Sequence, residues 1–202
     1  MSITMTILLI AMTVVVSIAG FGNTRVVEST IFSPPAVLRR REWHRLVTYG
    51  FVHADGTHLL FNMFRLWSFG SVVEPIFSAW ITPLGFVGFY LSALVASILP
   101  TFITQRNNPN YRSLGASGGV SAVLFSAILF DPWSKLIIFP IPVPIPAVLF
   151  AVLYVAYSVW MDRRGSDNVN HSAHLWGAAY GVVFTLVLRP RVLDHFLGQL
   201  QG

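Results

Sequence analysis

The chain has 202 residues, 54% of them hydrophobic and 10% charged, with a mean hydropathy of +0.67. These values exclude an ordinary soluble domain and imply an integral membrane protein forming one domain over residues 1–202. The net charge of +5 is dispersed in short clusters, which argues against a nucleic-acid partner, and the absence of cysteine excludes disulfides, thiolate metal sites and a cysteine nucleophile.

A helix of about 20 residues crosses the roughly 30 Å apolar core of a bilayer. Charge-free runs place six such spans, at 3–20, 58–74, 83–103, 113–130, 147–161 and 169–188. The first run has small residues, Ser17 and Ala19, at cleavage-site spacing. It lacks any lysine or arginine before Arg25, so it reads as a retained span and not a signal peptide. The connection over 21–57 carries "SPPAV" and then "LRRREWHRL", in which four arginines flank Trp43, a composition suited to the lipid headgroup layer. Span two contains Asn62 and Arg65. Before span five, "FPIPVPIP" places Pro140, Pro142, Pro144 and Pro146 at alternate positions, which a regular helix does not accommodate and an extended connection does. The fold class expected is an all-α membrane bundle of six helices with a long interfacial first loop and both chain ends on one side.

Polar groups are costly inside a bilayer, so their positions carry information. "HADGTHLLFN" brings His53, His58 and Asn62 to the start of span two, "GASGG" brings Ser117 to the start of span four, and "NHSAHLWG" brings His171 and His174 to the start of span six. Spans two, four and six run in the same direction, so these three starts share one depth. Small residues every four positions, Ala173, Gly177 and Gly181 on span six and Gly118, Ala122 and Ser126 on span four, allow close helix approach. If these faces meet, Ser117 and His174 come within reach of each other, the relation a serine nucleophile needs with its base. His58 and Asn62, four apart, share a helix face and can aim donors at one point, as an oxyanion hole requires.

Three motifs, "H-x4-H-x3-N" over 53–62, "G-x-S-G" over 115–118 and "A-H-x2-G-x3-G" over 173–181, resemble those of the rhomboid family of intramembrane serine proteases in order and placement. The resemblance implies a Ser117–His174 dyad. It implies an oxyanion site formed by His58, Asn62 and the backbone N–H of Ser117, with Gly115, Gly118 and Gly119 clearing space and Gly177 and Gly181 packing. His53, Arg45 and Glu74 would support the site. No cofactor or metal is implied. The partners would be transmembrane protein substrates and the lipid bilayer. The setting would be a multi-pass protein of the bacterial cytoplasmic membrane with its active site toward the outer face. Charge counting opposes that orientation, because nine arginines fall on the active-site side against Lys135, Arg189 and Arg191 on the other. Two departures stand out: Trp43 lies one position early relative to Arg45, and Ser121 occupies a position where some members carry an aromatic that stacks on the histidine.

Other readings are open at this point. A lone serine in such a helix usually serves packing. The G-x-S-x-G pattern of soluble hydrolases requires a preceding strand, and none is expected here. Four histidines offer a zinc site in principle, although no H-E-x-x-H is present. A helix-binding relative without proteolytic activity is the remaining alternative.

Overall fold

The structure, a computed structural model, describes residues 4–138, 141–165 and 169–201. Helix α1 (Met5–Gly22) is followed by three short helices, α2 (Thr24–Thr30), α3 (Pro34–Arg40) and α4 (Arg45–Thr48), and a single 3₁₀ turn at Tyr49–Phe51. Helices α5 (Gly56–Ile81), α6 (Pro83–Gln105) and α7 (Ser117–Phe130) come next. A hairpin of β1 (Lys135–Ile138) and β2 (Ile141–Pro146) leads to α8 (Ala147–Arg164), α9 (His171–Leu188) and α10 (Arg191–Gln201).

Helix α7 is the axis of the bundle: twelve of its fourteen residues are buried. It packs on α9, α6 and α5, while α1 lies against α5 and α8 lies mainly against α9. The α1 face turned inward is a stripe of Thr6, Leu9, Thr13, Ser17 and Gly20 at helical spacing. Its first turn is capped from across the bundle, since both Glu74 carboxylate oxygens accept backbone N–H groups, from Met5 (2.7 Å) and Thr6 (2.8 Å). By length and hydropathy alone, α1 and α6 are long and apolar enough to cross a membrane, and α7 is a shorter apolar helix.

Several sequence expectations are corrected. The first connection is not a bare loop. Asn23 caps α2, and Ser33 followed by Pro34 and Pro35 starts α3, giving the segment its own helical turns. Helix α5 continues through Pro75 to Ile81 instead of ending at Glu74. Helix α7 begins at Ser117 instead of 113. Ser113 is drawn into a two-way bridge with Phe32 (3.0 and 3.2 Å), and the Gly115 N–H donates to the Tyr49 carbonyl at 2.9 Å.

Within the predominantly helical bundle the proline run is extended, as expected, and it goes further by pairing as a strand: Leu136 lies opposite Ile145, and Lys135 opposite Pro146. Prolines at every second position leave the intervening residues free to pair, so an edge strand tolerates them. Pro140 lies outside the described residues. Helix α10 was not expected. It is amphipathic and buries Val192, and its Gln199 carbonyl accepts the Trp133 indole N–H at 2.7 Å.

Candidate active site

The site rests on how closely α7 and α9 approach. A Cβ added to Gly177 would lie 2.1 Å from the Gly118 carbonyl oxygen, and one added to Gly181 would lie 2.2 Å from the Ala122 carbonyl oxygen. One turn further on, Thr185 Oγ1 donates to Ser126 Oγ at 2.9 Å. The stripes expected to meet therefore do meet, backbone to backbone. Gly118 and Gly119 face α6: added Cβ atoms would fall 2.2 Å from Ser97 Oγ and 2.9 Å from a Tyr90 ring carbon. Their missing side chains seat α7 between α6 and α9. Gly115 does a different job. Its φ is +113°, which disfavours any residue with a Cβ, and an added Cβ would lie 2.7 Å from His58 Cε1.

Ser117 and His174 both line a cavity of about 510 Å³ that also includes His58, Asn62, Arg65, Gly115 and Asn170. A second cavity of about 430 Å³ shares Asn62, Arg65, Ser117 and His174 with the first and extends between α5 and α8 along Leu124, Phe150, Leu153 and Tyr157. Both spaces mix polar and apolar lining, and the serine and histidine stand where they join. As the first residue of α7, Ser117 has a backbone N–H that no carbonyl of its own helix accepts, at the positive end of the helix dipole. Asn62 spends one amide proton on the His58 carbonyl at 2.9 Å and keeps a second. Asn170 caps α9, accepting from the Ala173 N–H at 3.0 Å and the Thr101 hydroxyl at 3.1 Å.

His53 braces the loop in front of Ser117. The Ala116 N–H donates to His53 Nε2 at 3.2 Å, so that nitrogen carries no proton. Nδ1 therefore holds the proton and donates to Ser17 Oγ at 3.0 Å, whose hydroxyl donates to the Phe51 carbonyl. Burial, aided by repulsion from His58 and opposed by Asp55, pulls the His53 pKa from 6.5 down to about 3. Between those two values the unfolded chain binds a proton that the folded chain refuses. Stability is thus level above pH 6.5 and falls as pH drops through the window from 6.5 to about 3, by at most ~1.4 kcal/mol per unit. Thermal unfolding in detergent should show the wild type losing stability more steeply than His53→Gln below pH 6.5 and running parallel to it above. Equal slopes throughout would refute the assignment.

The histidine of α9 is flanked by an aromatic that sequence reasoning missed. The Tyr154 ring of α8 stacks on the His174 ring (centroids 6.1 Å apart, planes 23°), and its hydroxyl bonds Ser121 Oγ at 2.6 Å. Ser121, noted above as the non-aromatic residue on α7, thus anchors an aromatic from the next helix. The available signal was the stripe Phe150, Tyr154, Tyr157, at helical spacing in an apolar segment where a phenol needs a partner. His171 contacts Tyr157 and His174 edge-on, at 5.7 Å each.

Of the other supporting residues, Arg45 is buried, donating to the Ile31 carbonyl at 2.7 Å and pairing with Glu42, so it ties the first connection together. Trp43 is exposed. Glu74 caps α1 at the opposite end of α5 from the cavity. Among the described residues no three His, Asp or Glu side chains gather as a metal-binding group. Both ring nitrogens of His53 are also already committed.

Fold and cavity define a helical membrane protein whose polar groups collect in a chamber at one end of the bundle. Residues 40–191 match the family model described as the Rhomboid domain, and the protein belongs to the rhomboid family of integral membrane proteins. It is 31% identical over 153 residues to RHOMBOID-like protein 12, mitochondrial, of Arabidopsis thaliana, a stretch covering 69% of this chain and 45% of that one. Over 172 residues it is 31% identical to Rhomboid-related protein 1 of Caenorhabditis elegans, covering 82% and 44%. Over 164 residues it is 27% identical to Rhomboid protease GluP of Bacillus subtilis, covering 80% and 29%. The chain spans less than half the length of each of these relatives. They include a mitochondrial and a bacterial protein, so the bacterial cytoplasmic membrane is not singled out as the setting.

Proposed function

We propose that the protein is a multi-pass intramembrane serine endopeptidase, a single domain in which α1, α5, α6, α7, α8 and α9 cross the bilayer. The observation that carries this reading is the common cavity of Ser117 and His174 beside the α7–α9 contact. Ser117 Oγ attacks the carbonyl carbon of a substrate peptide bond while its proton passes to the neutral His174 ring. The carbonyl electron pair moves onto oxygen, where the Ser117 N–H, Asn62 and His58 donate to it. Collapse breaks the C–N bond, His174 returns the proton to the leaving amine, and water repeats the sequence on the acyl-enzyme, releasing a carboxylic acid and Ser117. Carbonyls in an intact helix are already bonded, so the substrate is a transmembrane segment that unwinds easily near the cut.

The test is cleavage of a transmembrane substrate by the purified, reconstituted protein, with and without a strong chelator, together with fluorophosphonate labelling mapped by mass spectrometry. Chelator-insensitive cleavage and an adduct on Ser117 are expected. Loss of activity on chelation would point to metal chemistry, and tight binding without cleavage to a non-proteolytic role.

Tyr154 acts here as a positioning residue for His174. Removing the stack in Tyr154→Ala should slow fluorophosphonate labelling about tenfold, while Tyr154→Phe, which keeps the ring, should restore most of the rate. Equal rates in the two variants would show that the ring does not orient the histidine. We place the cavity toward the outer face of the membrane. The cysteine-free chain makes that testable by impermeant maleimide labelling of Asn107→Cys in intact cells.

A further inference from the structure

Arg65 stands on the same α5 face as His58 and Asn62, one turn deeper, and borders both cavities that meet at Ser117. Its guanidinium lies 5.9 Å from the Phe61 ring centroid. Among the described residues it has no carboxylate partner. Glu42 pairs with Arg40 and Arg45, Glu74 caps α1, and Asp55 accepts the His58 N–H. An arginine does not deprotonate, and an unbalanced cation within a bilayer is costly, so an anion brought from outside the chain would be held favourably beside it. The Arg65 side chain is exposed and borders the open space that the two cavities share, so an incoming anion can reach the guanidinium.

Resting on the protease reading, we infer that Arg65 is a specificity-determining residue that recognises an acidic side chain in the substrate's transmembrane segment. Three residues of helix set Arg65 about 4.5 Å along the axis from Asn62. An extended substrate advances about 3.3 Å per residue, so the acid belongs within roughly three residues of the cut bond. A carboxylate there accepts two parallel N–H bonds from the guanidinium fork.

The experiment uses the full chain in neutral phosphatidylcholine nanodiscs. Transmembrane peptides with aspartate or asparagine placed in turn at each of the positions around the cleavage site are compared by cleavage in the wild type and by binding to Ser117→Ala. Expected is a preference for aspartate of at least about tenfold at one position, lost in Arg65→Gln and partly kept in Arg65→Lys. No preference at any position, or a preference that survives Arg65→Gln, would overturn the inference. A wild-type dependence on added phosphatidylglycerol that Arg65→Gln abolishes, without any aspartate preference, would also overturn it and assign Arg65 to a lipid phosphate. A preference in binding without any cleavage would sink the protease reading and leave the recognition role supported.

Discussion

Ser117→Ala is expected to lower cleavage of a reconstituted transmembrane substrate by on the order of 10⁴-fold or more, about 5.4 kcal/mol of transition-state stabilisation, and to abolish fluorophosphonate labelling. Thermal stability should hardly move, because the change removes one hydroxyl at a half-buried position on the cavity wall. His174→Ala should cost a comparable factor, and the double variant little more, if the two act as the proposed nucleophile and base, which work as one unit. On the proposed reading Asn62→Ala should be milder, about a hundredfold, because the Ser117 N–H and His58 would still face the oxyanion. Turnover at the wild-type rate in Ser117→Ala would end the serine reading altogether. A loss of turnover accompanied by an equal loss of stability would show only that the helix start had been damaged.

The unequal legibility of this chain in its sequence has a physical basis. Charge-free runs mark α1 and α6 because lipid penalises charge along a whole segment, a signal summed over many residues. The three polar motifs stand out for the same reason: a histidine or asparagine in such a run needs a cause. The α7–α9 contact was readable because close backbone approach demands small residues at fixed spacing, here Gly118 and Ala122 against Gly177 and Gly181. Contacts between unlike side chains on separate helices leave no such periodic trace. Nothing local to Ser121 announces Tyr154, thirty-three positions away, and nothing near Ser17 announces His53. In the first connection the cues were present: Asn23 before Thr24, and Ser33 before two prolines, are helix starts. The arginines there suggest a headgroup loop instead, although Arg45 turns inward to the Ile31 carbonyl.

The largest loss of stability is expected from Gly181→Val. An added Cβ would sit 2.2 Å from the Ala122 carbonyl oxygen and 2.7 Å from the Ala122 Cα, and both atoms belong to helix backbone that no rotamer change moves aside. The two helices must separate, which also loosens the Thr185–Ser126 hydrogen bond and the Gly118–Gly177 contact on either side. A cost of about 3 kcal/mol or more follows, at the upper end for overpacked positions. Gly88→Ala is the matched control. Gly88 lies in mid-helix on α6 with nothing within 4 Å of its added Cβ, so the change should be neutral or stabilise by up to ~1 kcal/mol through helix propensity. Unfolding of both variants in the same detergent should therefore move in opposite directions or differ by several degrees. If Gly181→Val unfolds with Gly88→Ala, the α7–α9 backbone contact is not what holds the bundle together. Gly177→Ala adds only one methyl group but meets the Gly118 carbonyl oxygen at 2.1 Å, next to Ser117. It should therefore lose activity beyond its loss of stability, because the serine and the histidine are carried on the two helices it pushes apart.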